Sequence, residues 1–438
     1  LLMGKESKEH GGSYYFAQTF FYPLMFLISY VIIFLLSGSG NSFFQERSKM
    51  NIKVYFLLLF ACFVARLFVG GNTVGHSDIG LFKMWSNVSV SEGLSNLYKS
   101  GIFINYPPGY IYVLYLLGKV RQVFGLDESG KAFLMLMKFP SILTDVIISL
   151  VLFRVAKEKI GSAAASMISL SYMFNPAIII NSTVWGQVDS VLALFVLLAI
   201  VCLAENKLKS ASILFTLAIL TKPQALVFTP LLLFALIERR DAGLLFNVGL
   251  LSLVTLFLLI LPFSFNQEPS WLIGLFRNVM GAFPLASVNA ANLFGLIGGN
   301  LLSDSVTLLF FSYKTWGYLF IVLTVILSAW LFFNDKATSK VFYISAVMMI
   351  SVFVCSTSMN DRYLFPALML LAMSYVFSGE RRFLYLYAGF SLTYFVNVGY
   401  ALLFSLYGLW IPPFDPVLIF AAASNVLLFI FTLWISMV

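Results

Sequence analysis

The sequence predicts an all-α polytopic membrane protein, and three observations support this fold class. Hydrophobic residues make up 60% of the 438 residues and charged residues only 11%, whereas soluble domains carry about 25% charged residues. Apolar runs of about 20 residues, the length that crosses the hydrocarbon of a bilayer, recur along the chain. Lys and Arg gather in short segments between these runs, as in the cytoplasmic loops of membrane proteins.

The apolar runs predict about thirteen transmembrane helices. Two of them, on either side of Thr221-Lys222-Pro223, are short and indicate a broken or tightly turned pair. We expect one transmembrane domain over residues 1–438, with the N-terminus outside. The predicted spans are residues 14–37, 52–71, 136–156, 161–178, 187–205, 209–221, 224–237, 242–263, 314–333, 341–357, 363–378, 382–406 and 415–437.

The orientation of the chain follows from its short loops, which fall on one side if the spans alternate. The positive-inside rule makes that side cytoplasmic, because these loops carry Arg47/Lys49/Lys53, Arg154/Lys157/Lys159, Lys207/Lys209, Arg239/Arg240, Lys336/Lys340 and Arg381/Arg382. The opposite face holds two long loops, residues 72–135 and 264–313, which we expect to form the roof of an active site. Residues 107–125 are apolar, but a span there would invert every later loop. They are therefore interpreted as an interfacial helix.

Several kinds of chemistry lack the residues that they need. The sequence has no Gly-rich phosphate loop, no His-x-x-x-His pair and no Cys-x-x-Cys. Asp78 has no adjacent second carboxylate, which argues against a tightly held divalent metal. We therefore expect neither a metal nor a cofactor. The net charge of +8 indicates anchoring beside anionic lipid, and no basic-aromatic stripe points to nucleic acid.

The first candidate site residue is Asp78, just past the end of the second predicted span. A carboxylate close to the hydrocarbon edge is partly desolvated, which tends to raise its pKa and make it a better base. Ser77 or Asp78 could instead cap the next helix, and the two roles are compatible. Trp85 and Tyr106 follow in the same loop, and we expect them to contact a substrate.

The second candidate is a polar stretch between two apolar spans, which contains Trp185, Gln187 and Asp189. Polar groups at membrane depth are costly and are often functional. The alternative is a plain loop in which Asp189 caps the next helix. Both interpretations stay open at this stage.

Three cations complete the candidate set. Lys222 either snorkels to lipid phosphates or binds a substrate phosphate. Arg362 either pairs with Asp361 at the surface or offers a fork to a phosphate. Arg277 lies in the second long loop. Downstream of it, Asn289 and Asn292 either bind a sugar or organise the loop backbone.

Three further charges, Arg66, Lys138 and Asp145, fall within predicted spans. Lys138 and Asp145 are seven residues apart and share a helix face. Charges inside a membrane often mark an ion or proton path, but one acid and one base make a weak relay. A structural pair between helices is therefore the favoured interpretation.

The outer-face candidates combine a carboxylate base, cations and aromatic side chains. This set suits the transfer of a group from an anionic lipid carrier to an outside acceptor. The carboxylate would deprotonate the acceptor hydroxyl while the cations hold the leaving phosphate. A phosphate-linked sugar carries its own leaving group, so no nucleotide site is needed.

Short motifs also carry a resemblance to a known superfamily. They are Asp78 seven residues before Trp85, Tyr106-Pro107-Pro108, Asn175-Pro176, Trp185-Gly186-Gln187-Val188-Asp189-Ser190, Lys222-Pro223-Gln224 and Arg362-Tyr363-Leu364-Phe365-Pro366. From about residue 55 to 370, the chain resembles the integral-membrane glycosyltransferases of the GT-C superfamily, in particular the bacterial and archaeal relatives of the second mannosyltransferase of glycosylphosphatidylinositol-anchor assembly. It is more distantly similar to the dolichyl-phosphate-glucose glucosyltransferases. Asn360-Asp361 stand where relatives often have His-Glu.

The resemblance implies a polyprenyl-phosphate-linked sugar donor, Asp78 as the base, and helices along the membrane in the first external loop. The expected function is transfer of a hexose, mannose or glucose, to a glycan, lipid or protein acceptor at the outer face of the plasma membrane. We expect a metal-independent and inverting reaction, because the sequence offers one base and no evident nucleophile. Two alternatives stay open: a flippase or other transporter of lipid-linked sugars, and a polymerase or ligase of lipid-linked glycans.

Overall fold

The computed structural model describes residues 51–437, so the predicted span at 14–37 lies outside the described residues. Most of the described chain is helical. A π-helical turn (Ile180–Trp185), two 3₁₀ helices (Leu97–Lys99 and Pro223–Phe228) and one small hairpin (β1 Thr307–Leu308 and β2 Phe311–Ser312) interrupt the α-helices. These are α1 Ile52–Asn72, α2 Asp78–Ser91, α3 Pro108–Phe124, α4 Lys131–Ile160, α5 Ser162–Met173, α6 Pro176–Ile179, α7 Asp189–Ala204, α8 Leu208–Thr221, α9 Thr229–Arg239, α10 Ala242–Ser264, α11 Trp271–Met280, α12 Leu293–Leu296, α13 Tyr313–Asn334, α14 Lys340–Cys355, α15 Phe365–Ser378, α16 Arg382–Leu406 and α17 Pro416–Met437.

Each predicted span from 52–71 onward coincides with a helix or with adjoining helical segments. Within the described residues, six helices are long and apolar enough to cross a membrane: α1, α4, α10, α13, α16 and α17. A bent pair, α5 with Pro176–Trp185, raises this number to seven, and α7, α8, α14 and α15 are apolar but shorter. A helix of 16 residues such as α7 is about 24 Å long, less than the hydrocarbon thickness of about 30 Å. The protein is thus a multi-pass all-α membrane protein, and the count of thirteen spans stays a prediction.

The break after α5 follows from the dipeptide Asn175-Pro176. Pro176 lacks the N–H that would continue α5, and the side chain of Asn175 accepts a hydrogen bond from the first turn of α6. The side-chain amide of Asn175 also donates to Tyr387 and Ser391 of α16. These bonds fix the break against a neighbouring helix and position the π-helical turn that follows it.

In the first long loop, α2 and α3 pack closely against each other. A Cβ on Gly118 would lie 2.7 Å from the main-chain oxygen of Ser86, and the Ser86 hydroxyl donates to Leu114 O at 2.7 Å. The start of α3 meets the end of α8, where a Cβ on Gly109 would lie 2.6 Å from Leu220 O. The apolar segment 107–125 therefore forms a helix that joins α2 to α8, and its place at the membrane interface stays a prediction.

Asparagine side chains fasten the second long loop to its neighbours. Asn397 of α16 donates to the main-chain oxygen of Asn289 at 2.6 Å, and Asn292 caps α12. Val288 forms a β-bridge with Asn360, which carries the loop up to the residues before α15. Asn292 thus organises backbone, one of the two roles that the sequence left open for it, whereas the side chain of Asn289 accepts a hydrogen bond from the Asn300 side chain at 3.3 Å.

The predicted structural pair between helices is observed, because Asp145 of α4 pairs with Arg66 of α1. Lys138 takes no part in that pair. Lys138 donates from Nζ to Thr73 O at 2.7 Å and to Val184 O at 3.0 Å. Both lysine and aspartate lie on α4, but they reach different segments, and Lys138 joins the end of α1 to the π-helical turn.

Candidate active site

The candidate residues lie at helix ends on one side of the bundle. Asp78 begins α2 just beyond the end of α1, Asp189 begins α7, Lys222 follows the end of α8, and Arg362 precedes α15. The other ends of α7 and α8 meet at a turn that contains Lys207. The site and this basic turn are therefore at opposite ends of the same helices, as the predicted topology requires.

The carboxylate of Asp78 contacts three side chains. Oδ2 accepts a hydrogen bond from Nε2 of Gln187 and lies 3.6 Å from Nη2 of Arg362. Oδ1 lies 3.3 Å from Nδ1 of His76. This nitrogen is also 3.1 Å from the main-chain N–H of Asp78, so it accepts from that N–H when unprotonated and donates to the carboxylate when protonated.

The helix-capping role considered for Ser77 and Asp78 is not observed. Ser77 occupies the N-cap position but makes no side-chain capping bond. The carboxylate of Asp78 is instead held within the cluster, and its side chain remains 23% exposed. A substrate hydroxyl can therefore reach it.

The expected rise in the pKa of Asp78 is wrong. Burial does favour the protonated acid, but the hydrogen bond and charge of His76, the Arg362 guanidinium and the Gln187 amide outweigh it. Together they hold the pKa of Asp78 well below its ordinary value. The carboxylate is thus ionised at neutral pH and free to accept a proton, although it is a weaker base than its position in the sequence suggested.

Arg362 lies between two carboxylates and an indole. Its Nη1 is 3.5 Å from Oδ1 of Asp361, and its guanidinium lies 5.5 Å from the ring centre of Trp185. With the 3.6 Å contact to Asp78, these distances are long for charge-assisted pairs. Nε of Arg362 is buried and has no hydrogen-bond partner within residues 51–437. Arg362 therefore retains donors for a ligand.

Two glycines with left-handed backbones bring two site segments together. Gly75 has φ 81° and Gly186 has φ 85°. A Cβ on Gly186 would lie 2.5 Å from Cδ1 of Ile79, and one on Gly75 would lie 3.0 Å from Trp185 O. The main-chain N–H of His76 donates to Trp185 O at 3.3 Å, and the His76 and Trp185 rings stack at 4.6 Å. Asp78 and Gln187 are thus carried on one close-packed unit.

Asp189 and Lys222 form a buried ion pair. The second carboxylate oxygen of Asp189 accepts a hydrogen bond from Asn181, and Nζ of Lys222 lies 5.6 Å from the ring centre of Tyr106. Lys222 is only 3% exposed, so it does not snorkel to lipid, and its charge is balanced by Asp189. The ion pair of Asp189 with Lys222 is closer than the contacts of Arg362 with its two carboxylates.

Two of the predicted substrate-binding residues lie apart from this cluster. Trp85 is fully buried, donates to Phe103 O at 2.8 Å and packs behind Tyr106 with ring centres 5.4 Å apart. Arg277 is exposed on α11, and no hydrogen bond or ion pair joins its side chain to the cluster among the described residues. The same helix carries Trp271, which packs against Tyr98 of the first loop at 5.3 Å. The two long loops therefore meet, and their role as an active-site roof stays a prediction.

Buried polar atoms without partners are concentrated around Asp78 and Asp189. Within residues 51–437 they include Oδ1 of Asn181, Nε1 of Trp185, Oε1 of Gln187 and Nε of Arg362. Buried polar groups are normally hydrogen-bonded, and an unmade bond is costly. A mixture of donors and acceptors of this kind fits a ligand whose hydroxyls can both donate and accept.

Three residues of the cluster were not among the candidate site residues chosen from the sequence: His76, Asn181 and Asp361. His76 and Asp361 each adjoin or nearly adjoin a predicted residue, so proximity to Asp78 and Arg362 was the available signal. Burial raises the pKa of Asp361 to about 6, and the charge of Arg362 offsets only part of that rise. Asp361 is therefore a second carboxyl group of the site. Its pKa is raised above the ordinary value of an aspartate, whereas the pKa of Asp78 is lowered below it.

Comparison with known proteins identifies a family. The sequence profile of glycosyltransferase family 87 matches residues 103–357, more than half of the chain. The matched range includes Tyr106, Trp185, Gln187, Asp189 and Lys222. No curated protein matches the chain.

Proposed function

Because the chain belongs to glycosyltransferase family 87, we propose that it transfers a hexose, mannose or glucose, from a polyprenyl-phosphate carrier to an acceptor at the extracytoplasmic face of the plasma membrane. The family match and the apolar helices make it a membrane-embedded glycosyltransferase. The carrier, the sugar and the side of the membrane are parts of the proposal. They are supported by the motif resemblance to relatives of the second mannosyltransferase of glycosylphosphatidylinositol-anchor assembly.

In the proposed reaction, Asp78 is the general base. An acceptor hydroxyl gives its proton to the Asp78 carboxylate as its oxygen bonds to the anomeric carbon of the sugar. The bond between that carbon and the phosphate oxygen breaks, and polyprenyl phosphate leaves with the electron pair. A single displacement inverts the anomeric centre. The ionised state of Asp78, held by Arg362, His76 and Gln187, supports this role.

Arg362 is the better candidate to bind the leaving phosphate. Its contacts with Asp78 and Asp361 are 3.6 and 3.5 Å long, and its Nε is unpartnered. A guanidinium can present two parallel donors to a phosphate. Lys222 is engaged by Asp189, so we assign it to the support of Asp189 and Tyr106 instead.

The observation that carries the proposal is a set of buried polar atoms without partners near an ionised carboxylate. Gln187 donates to Asp78, Trp185 lies beside Arg362, and Asn181 donates to Asp189. Each of Asn181, Trp185 and Gln187 keeps one unpartnered donor or acceptor atom. A sugar phosphate supplies hydroxyl groups for these three and an anion for the arginine. An apolar lipid or a simple ion would leave most of these atoms unsatisfied.

The test is transfer by purified protein from radiolabelled polyprenyl-phosphate mannose or glucose into heat-inactivated cell-envelope membranes. We expect Asp78→Asn to lower the rate at least about 100-fold, the usual contribution of a general base, while thermal stability is retained. Asp304→Asn is the control for loss of a carboxylate elsewhere, because Asp304 lies in the second long loop and is buried. Full activity of Asp78→Asn would remove Asp78 from the mechanism. Donor that crosses vesicles intact, with no transferred label, would favour a flippase.

A further inference from the structure

The hairpin that precedes α13 carries the two most exposed large hydrophobic side chains among the described residues. Leu309 is 79% exposed and Phe310 is 85% exposed, and they form the two-residue connection between β1 and β2. Leu309 has φ 58°. Two-residue hairpin turns usually have Gly, Asn or Asp at positions of positive φ, so this turn has an apolar side chain where a small or polar residue would be less strained and more soluble.

The hairpin is fastened to the first turns of α13. The main-chain N–H of Tyr313 donates to Val306 O at 3.0 Å, and Nε1 of Trp316 donates to Leu308 O at 3.0 Å. The rings of Phe311 and Trp316 pack edge to face at 5.3 Å. The tip is therefore held out from the end of a helix that is long and apolar enough to cross a membrane.

Exposed apolar side chains continue from the tip in two directions. Along α13 they include Tyr318 and Val322, which are more than half exposed. Beside the hairpin's loop, Phe414 packs against Gly298, and the loop that follows α16 presents Leu409 and Trp410 to the outside. Trp and Tyr at such a border are typical of the membrane interface.

Charge is almost absent from this surface. Between residues 297 and 318 the charged residues are Asp304 and Lys314. Asp304 is buried, and Lys314, in the first turn of α13, is exposed. A lone exposed cation beside apolar side chains suits the level of lipid phosphates, whereas a water-facing loop of this composition would promote aggregation.

We propose that Leu309 and Phe310 insert into the lipid leaflet on the site side of the membrane and anchor the second long loop there. The occupant of this surface is lipid, because the surface is continuous with the outward face of a membrane-crossing helix. The anchor also bears on the site, since the same loop forms the bridge between Val288 and Asn360. Insertion itself does not depend on the proposed glycosyl transfer.

The test uses a nitroxide label on Phe310→Cys in phosphatidylcholine vesicles, with Cys62, Cys202 and Cys355 replaced by Ala. Ser305→Cys is the matched control, because Ser305 is exposed in the same loop. The measured quantity is the ratio of the label's collision rate with oxygen to its collision rate with a water-soluble nickel complex. We expect this ratio to be at least about fivefold higher at 310 than at 305, because oxygen is apolar and concentrates in hydrocarbon. Equal nickel access at both positions would show that the tip lies in water. Access to neither reagent at 310 would show that protein covers it, and either result overturns the proposal.

A second variant separates insertion from folding. Leu309→Ser combined with Phe310→Ser removes side chains that touch little of the protein, so the melting temperature in detergent should not change. In vesicles, a label at Phe310→Cys combined with Leu309→Ser should show more nickel access than a label at Phe310→Cys alone, because one of the two inserting side chains is lost. A lower melting temperature in detergent would mean that the two side chains are packed within the protein, which contradicts their role as a lipid anchor.

Discussion

Replacement of Gly186 by Ala tests whether the close approach of two backbone segments sets the geometry of the site. Gly186 lies between Trp185 and Gln187 with φ 85°. An added Cβ would be 2.5 Å from Cδ1 of Ile79 and 3.1 Å from Cγ of Lys138. Ile79 is buried and follows Asp78 directly. Any part of the clash that rotation of the Ile79 side chain does not relieve must therefore displace Asp78 or Gln187.

The expected cost has two parts. A left-handed backbone costs a residue with a Cβ about 1–2 kcal/mol, and an extra methyl group in a filled space costs about 1–3 kcal/mol. Gly186→Ala should therefore lower the free energy of unfolding by about 2–5 kcal/mol. A displacement of about 1 Å between reacting groups can lower a rate about 100-fold, so the transfer rate should fall more than stability alone would explain.

Gly125→Ala is the matched control for the backbone part. Gly125 follows α3 in the same left-handed conformation as Gly186, and an added Cβ would meet open space. Both variants would be compared by thermal unfolding in detergent and by transfer from radiolabelled donor. We expect Gly125→Ala to lose only the backbone cost and to keep most of its activity. Equal losses of stability and activity in the two variants would refute the argument that Gly186 provides space for Ile79.

Two further predictions concern titration and buried charge. Protonation of Asp361, whose pKa burial raises to about 6, leaves Arg362 with one carboxylate fewer, so the KM for the donor should fall as the pH drops through about 6. The folded state also takes up this proton before the unfolded state does, so the free energy of unfolding should rise as the pH falls from about 6 toward 4. Asp361→Asn should flatten both pH profiles, and unchanged profiles would contradict the assignment. In the bundle, Asp145→Asn leaves the charge of Arg66 buried and should cost about 3–5 kcal/mol in chemical unfolding. The double variant Arg66→Met with Asp145→Leu should cost less than this single change, and an equal or larger loss would contradict the uncompensated-charge explanation.

The sequence by itself determined the class of fold and the position of most helices. Long apolar runs can satisfy their backbone groups in a membrane only as helices or closed barrels, and every predicted span from residue 52 onward falls on helical segments. It also indicated Asp78, Trp185, Gln187, Asp189, Lys222 and Arg362, because polar residues at helix ends within an apolar chain are few. Length alone could not establish the number of crossings, since α7 and α8 are shorter than the hydrocarbon core.

Only the tertiary structure decided which partners these residues have. The pKa of Asp78 is lowered rather than raised because His76, Arg362 and Gln187 together outweigh its burial. His76 is two positions away in the sequence, but Arg362 is 284 positions along the chain, and only the fold brings it beside Asp78. Lys222 is neutralised by Asp189, whereas Arg362 keeps free donors, and sequence spacing does not distinguish the two cations. Lys138 reaches main-chain oxygens instead of Asp145, although both lie on one face of α4. Burial and pairing are properties of segments that are distant in sequence, so the electrostatics of the site follow from the packing of helix ends.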